Sequence, residues 1–351
     1  VISARALGLA LGFVADRACG DPRRWHPVAG FGTCALALER RTYRDSRWTG
    51  VAHVLVLVGG ATGLGYAAER SVRTPCARIA LTALATWAVL GGRSLEREAR
   101  AVHGLLAAGD LDRARVGVRN LVGRDTAALG PDEIARAVVE SVAENTSDAV
   151  VASLVWGAAA GIPGLVAHRA VNTLDAMIGH RNARYGRFGW AAARLDDVLG
   201  LPASRLSGAL AVILGPDSLG ALRAWRRDAR RHPSPNAGVV EAAFAGALGL
   251  QLGGVNVYYG NRREDRALMG HGRAPVPADI PRAVRLARRV GVGATAGAMI
   301  LGSRTSRRAW PSGGLATVGV KPLSGERSVR RRGLPRLAGL GRQQPISTAS
   351  W

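Results

Sequence analysis

The sequence predicts an all-α, multi-pass helical membrane protein with a polar helical insert, and three observations lead there. The mean hydropathy of the 351-residue chain is +0.07 even though it carries 48 cationic side chains and a net charge of +23. The apolar residues must therefore be concentrated in segments. Uncharged stretches recur at 50–68, 79–92, 149–168, 242–260 and 290–303, and three of them come close to the ~20 residues that cross a hydrocarbon core. These stretches are rich in Gly and Ala, which lets helix backbones approach closely in lipid. At 48% hydrophobic and 21% charged the chain is too apolar and too patterned to be disordered or fibrous. The competing architecture is a soluble all-α enzyme that buries the same stretches as core helices, since two of them are short.

Along the chain, residues 1–19 form an apolar helix with Arg5 early and Asp16 and Arg17 late. They lack a small-x-small cleavage pattern, so a retained helix is expected. Asp16, Asp21-Pro22 and His26-Pro27 then place acids and a histidine where proline enforces an extended chain. Spans over 50–68 and 79–92 lead into the polar insert, about 93–142, where Leu95, Ala99, Val102 and Leu106 share a helical face. Gly109-Asp110 turns the chain, and Pro131-Asp132-Glu133 opens a new helix with acids in its first turn. The third span, from Ala149, is interrupted at Gly161-Ile162-Pro163-Gly164, which suits a re-entrant turn. The segments 17–48, 93–136, 169–205, 223–231 and 262–289 read as polar connections. All are rich in arginine, so the positive-inside rule cannot put every one in the cytoplasm if each stretch spans once. His232-Pro233-Ser234-Pro235-Asn236-Ala237-Gly238 is a rigid turn into the fourth apolar stretch, and Gly253-Gly254 lets backbone approach a ligand closely.

After Gly302 the apolar pattern stops. Residues 303–351 hold ten cations and one acid and read as a basic, disordered tail to a membrane-embedded catalytic domain of residues 1–302. Of the 48 cations 47 are Arg and only Lys321 is Lys, a bias of genomic base composition rather than a nucleic-acid signature. The charge is spread over all connections with few aromatic residues for stacking, so no nucleic-acid partner is expected. Cys19, Cys34 and Cys76 show no metal or disulfide spacing and read as small buried residues.

The densest polar run is 140–148, ending where the third apolar stretch begins. On a helix Glu140, Glu144 and Asp148 fall at i, i+4 and i+8, three carboxylates on one face with no intervening cation. Such hard oxygen ligands suit Mg²⁺, with Glu144, Asp148 and Asp175 as the expected metal set. The same run holds Asn145, Thr146 and Ser147, costly to bring toward an apolar span without a role. Beyond the span, Arg169, Asn172 and Asp175 share a face at three-residue spacing, offering a phosphate-binding guanidinium, an amide and another carboxylate. Arg194, Asp196 and Asp197 follow. Glu140, Glu144, Asp148, Asp175 and Asp197 are thus the catalytic candidates. Asp21, His26, Asn145, Arg169, Asn172, Arg194, His232, Asn236, Asn256 and Tyr258 are the substrate-binding candidates. No P-loop run occurs.

The runs DRACGDPRRWHPV, LVGRDT, ESVAENTSD, HRAVNTLDAM, RYGRFGWAAARLDDV, HPSPNAG and LGGVNVYYG, in this order over residues 5–302, closely resemble the CobD/CbiB family of cobalamin biosynthesis. The resemblance implies a multi-pass protein of the cell membrane, with its active site expected on the cytoplasmic side. It would use MgATP to join an aminopropanol phosphate, or a related amino-alcohol phosphate, to a propionate carboxylate of the corrinoid adenosylcobyric acid, giving adenosylcobinamide phosphate. The chain would meet membrane lipids, and a homo-oligomer is compatible with it. Two rivals share the acid-rich helix ends: a Mg²⁺-dependent membrane transferase acting on isoprenyl or lipid phosphates, and a non-catalytic membrane sensor of the same superfamily. The HPSPNAG and GGVNVYY runs count against the first, and retention of ENTSD, NTLD and RLDD against the second.

Overall fold

Caps and breakers cut the chain into helices where local chemistry allows. The computed structural model describes residues 2–20, 26–258 and 262–309. Its helices are α1 (Ala4–Cys19), α2 (Pro27–Thr42), α3 (Arg47–Ser71), α4 (Pro75–Val89), α5 (Gly92–Ala107), α6 (Leu111–Gly117), α7 (Pro131–Asn145), α8 (Ala152–Ile178), α9 (Tyr185–Phe188), α10 (Trp190–Leu214), α11 (Ser218–Asp228), α12 (Ala237–Leu248) and α13 (Ile280–Ala309). Ser3, Ser46, Thr74, Asp110 and Asp217 cap α1, α3, α4, α6 and α11 by accepting a first-turn N–H. Four helical segments are long and apolar enough to cross a membrane: Arg47–Ser71, Pro75–Ala107, Pro131–Ile178 and Trp190–Leu214. The molecule is an all-α membrane protein.

α7 passes into α8 through a π-helical turn, Thr146–Val151, a rare widening frequent at functional sites. It turns Asp148 away from the straight i, i+4, i+8 stack expected of an α-helix. α8 then breaks at Gly161, where φ is 72° and ψ −154°, left-handed values that disfavour any residue with a Cβ. The chain reverses there. A Cβ on Gly157 would lie 3.0 Å from Leu165 Cδ1, and one on Gly164 only 2.5 Å from the Trp156 carbonyl oxygen, whereas residues eight apart in a continuous helix are ~12 Å apart. α8 is therefore a helical hairpin, with its tip at the glycine-proline interruption. Glu69 of α3 caps the returning arm by accepting the Ile162 N–H at 3.2 Å, and Arg5 reaches Glu69 at 3.4 Å and the Ala158 carbonyl at 3.4 Å.

α7, the first arm of α8, α12 and α13 share the main core, with Ile134, Val138, Leu154, Phe244 and Val284 fully buried. α12 is buried all round, as its apolar sequence, interrupted by Glu241 alone, requires. Two strands, β1 (Leu252–Tyr258) and β2 (Arg262–Met269), form an antiparallel hairpin with an irregularity between Leu252 and Gly254.

Four expectations change. The stretch 242–260 does not span as a helix, because Gly249 adopts φ 66° and ends α12 after 12 residues, and the chain continues as β1. α10, expected to be a polar connection, is a candidate span: its acids are confined to its first turns, and Arg205 is the one charged residue in 198–214. The last helix does not stop at 302. Ser3 donates to the Gly302 carbonyl at 3.0 Å and Thr305 to that of Ala158 at 2.8 Å, so polar side chains carry α13 past the end of the apolar pattern to Ala309. Residues 310–351 lie outside the described ones. Finally, Cys19, Cys34 and Cys76 are exposed and unpaired rather than buried, on helix surfaces with no protein neighbour to cover them.

Candidate functional site

The α8 hairpin brings together acids that are far apart in sequence. Asp148 precedes its first arm by four residues and Asp175 ends the second, and the two lie within electrostatic reach of each other. Asp148 also feels Glu144 and Asp196, and Asp196 feels Asp175, Asp197 and Glu144. Among the described residues neither Asp148 nor Asp175 forms an ion pair with an arginine. Arg169 donates to Asn172 Oδ1 at 3.1 Å, and Asn172 in turn hydrogen-bonds Asp196, tying α8 to α10 at the cluster. Arg194 meets Asp197 on the exposed side at 3.3 Å, so Asp196 rather than Asp197 has the deeper place. Among the described residues no three His, Cys, Asp or Glu side chains converge closely enough to cage a metal. The acids, left without a guanidinium, suit an ion that takes one or two carboxylates and fills its other positions with water and phosphate oxygens.

Glu140 is differently placed. Arg124 donates to its Oε2 at 3.1 Å and the Gly253 N–H to its Oε1 at 2.9 Å, so it pins the β-hairpin to α7. Gly253 has φ 87°, and a Cβ there would lie 2.2 Å from the Ala267 carbonyl oxygen. At Gly253 the close approach is thus made to the protein's own backbone. Asn256 Oδ1 accepts from Arg124 and, at 3.3 Å, from Arg136, so this candidate too is held within the hairpin contact.

Beside Glu140 lies a cavity of about 120 Å³ lined by Arg124, Glu140, Glu144, Glu241, Asn256 and Arg266. Glu241, on α12, is 1% exposed, and among the described residues neither of its carboxylate oxygens has a hydrogen-bond partner. Burial, reinforced by Glu140 and Glu144, pushes its carboxyl well above the usual range. His232 Nε2 stands 3.8 Å from Glu241 Oε1. Its Nδ1 lies 3.0 Å from the Ser234 backbone nitrogen and 3.2 Å from the Ser234 carbonyl oxygen, so that residue can hold the ring in either neutral tautomer. Burial and then Arg266 hold this imidazole below its ordinary pKa.

The other candidates are occupied locally. Asn236 donates to the Asp197 carbonyl at 2.8 Å and accepts from Ser204 at 3.0 Å, clamping the His-Pro loop on α10. Asn145 donates to the Ser141 carbonyl at 2.9 Å. His26 caps α2 through the Val28 N–H at 3.2 Å. Asp21 and the side chain of Tyr258 lie outside the described residues. Arg124, Glu241 and Arg266 were not singled out from sequence. An acid on the border of an apolar stretch was the available signal for Glu241 and the LVGRDT run that for Arg124, whereas Arg266 carries none in a chain with 47 arginines.

The CobD/Cbib protein family model matches residues 9–287. The chain is 51% identical to the cobalamin biosynthesis protein CobD of Mycobacterium tuberculosis (strain CDC 1551 / Oshkosh), over 85% of its own length and 96% of that protein's. It is 46% identical to the protein of that name from Geobacter metallireducens over 70% and 80%, and 40% identical to that of Rhodobacter capsulatus over 80% and 92%. No solved structure matches. All of the described acid cluster and cavity falls within the matched residues, and the chain belongs to the CobD/CbiB family of cobalamin biosynthesis proteins.

Proposed function

We propose that the chain is an ATP-dependent acid–amine ligase that joins an amino-alcohol phosphate to a propionate carboxylate of adenosylcobyric acid, giving adenosylcobinamide phosphate. The observation that carries this reading is the pairing of a carboxylate cluster with an adjoining small cavity lined by both guanidiniums and carboxylates. A corrinoid carboxylate is a poor electrophile, so the γ-phosphoryl group of ATP passes to it, releasing ADP and forming an acyl phosphate. The amine nitrogen then attacks the acyl carbon, the C–O bond to phosphate breaks, and phosphate leaves as the amide forms. The nitrogen loses two protons per turnover: one comes off the incoming ammonium before it attacks, and the second leaves as the tetrahedral adduct collapses and ends on the departing phosphate.

Each pole of the small substrate has a counterpart in the cavity. Arg124 and Arg266 suit its phosphate, and Glu144 and Glu241 its ammonium. Glu241, with two oxygens that have no hydrogen-bond partner among the described residues and a carboxyl raised above its ordinary range, is suited to take the ammonium proton. His232 stands behind it to accept or relay that proton. Mg²⁺, held through Asp148 and Asp175 with Glu144 at its margin, would screen the triphosphate charge. Arg169 holds Asn172 and Asn172 bonds Asp196, which would keep that carboxylate oriented toward the same acid cluster.

The test is purified chain with adenosylcobyric acid, aminopropanol phosphate and MgATP. One ADP and one phosphate should appear per corrinoid product of the expected mass. Release of AMP and diphosphate, or product formation without ATP, would contradict the proposed course.

A further inference from the structure

A second cavity, about 710 Å³, opens at the tip of the α8 hairpin, where Arg5, Tyr66, Glu69, Arg70, Arg73 and Arg78 contribute to its lining. We propose that it binds the headgroup of an anionic phospholipid; the inference is independent of the ligase reading.

The site is built by the fold. α3 and α4 are joined by three residues, 72–74, yet hardly touch each other: α3 packs on α8, and α4 packs chiefly on α1 and also on α8. They diverge from their shared turn and leave a crevice. Both belong to candidate membrane spans, so the turn and the cavity at its mouth lie at one end of the apolar layer. Arg5 and Glu69 pair with each other at 3.4 Å. Arg70 and Arg73 then add cationic charge with no second acid among the lining residues. Arg70 stacks on the exposed Tyr66 ring at 4.9 Å, an aromatic placed where headgroups meet acyl chains. Arg78 is fixed by its Nε–H to the Val72 carbonyl at 3.2 Å.

Polarity along the two helices follows that of a lipid. Six residues inward from Arg70 and from Arg78, about 9 Å along each helix, Leu64 and Leu84 are 75% and 55% exposed. Positive charge at the turn followed by uncovered leucine deeper in the layer matches a phosphate with acyl chains below it. Free phosphate would need only the first of these features.

The experiment uses the full chain, delipidated in neutral detergent and titrated by native mass spectrometry with dioleoyl phosphatidylglycerol or dioleoyl phosphatidylcholine. One phosphatidylglycerol should bind at least tenfold more tightly than phosphatidylcholine. Arg70→Gln combined with Arg73→Gln should weaken phosphatidylglycerol binding roughly tenfold or more, while Arg40→Gln with Arg41→Gln should not. Equal binding of the two lipids by the wild-type chain would overturn the proposal without recourse to any variant. So would a preference that survives the Arg70/Arg73 pair. Tight binding of inorganic phosphate that excludes the lipid would assign the cavity to a soluble anion instead.

Discussion

At the tip of the α8 hairpin Glu69 is answered by Arg5 and by the Ile162 N–H. At its base Asp148 and Asp175 face other acids and no arginine among the described residues. The same hairpin thus holds charge in opposite ways at its two ends. A pair that merely closes a turn is neutralised within the protein. A cluster left with surplus charge, on buried helix ends, carries a free-energy cost that folding alone does not explain, and it is the cluster that adjoins the Glu241 cavity. The contrast separates two carboxylates equally visible in sequence: Glu140, pinned by Arg124 and Gly253, and Asp148, which is not.

The largest effect that sharpens this contrast is expected from Asp148→Asn or Asp175→Asn. Each should lower kcat on the order of 10³-fold while leaving the chain as stable or more so, since neutralisation relieves repulsion among the acids. Activity and thermal midpoint measured on the same detergent-purified samples check this. A parallel loss of both would make the acids structural.

Next in size is Glu241→Gln, expected to lower kcat about 10²-fold or more. In the wild-type chain activity should fall as pH drops through the raised carboxyl value, because Glu241 must be ionised to take a proton. That limb should vanish in the variant. An unchanged pH profile would remove Glu241 from proton transfer.

At the other end, Glu69→Gln should cost about 1–3 kcal/mol of stability by leaving Arg5 and the Ile162 N–H poorly matched, with kcat per folded molecule within a few-fold of wild type. Equilibrium unfolding in detergent and active-site-normalised turnover give the two numbers.

The smallest effect concerns acid stability. Burial alone would raise Asp279, but Arg273 at 2.7 and 2.9 Å, the Val276 N–H at 2.9 Å and Arg282 at 2.6 Å outweigh it and hold its pKa below the ordinary 3.8. A depressed folded pKa contributes stability that is present above about pH 4 and lost as pH falls through the folded value. Asp279→Asn should therefore flatten the fall in thermal midpoint between pH 5 and 3. It should lower the midpoint at pH 7, where the variant lacks the ion pairs.

Much of this was legible beforehand because it depends on local rules. The breaks at Gly109, Pro131 and Gly161 and the turn before Ala237 follow from glycine and proline chemistry. The acids at 144, 148 and 175 stand out because apolar neighbours make them expensive. The β-hairpin was not legible: residues 252–258 are as uncharged as a span, and only tertiary contact with Glu140 and Arg136 selects the strand. Nor was the span at 190–214, whose acids crowd into its first turns and disguise an apolar remainder. Arg266 was hidden by the abundance of arginine and Arg124 was marked only as part of the LVGRDT run, while Asn236 and Asn256 carried family-like motifs whose hydrogen bonds are made to the protein itself.

The most direct test of a shared centre at the hairpin base is a double-mutant cycle on Asp148 and Asp175, measured as single-turnover ligation with saturating MgATP. If both act on one ion and one phosphate, the double Asn variant should be slower than the worse single variant by roughly tenfold at most. If instead the two losses multiply, to about 10⁶-fold for single losses near 10³, the acids act independently and the hairpin does not assemble one catalytic centre.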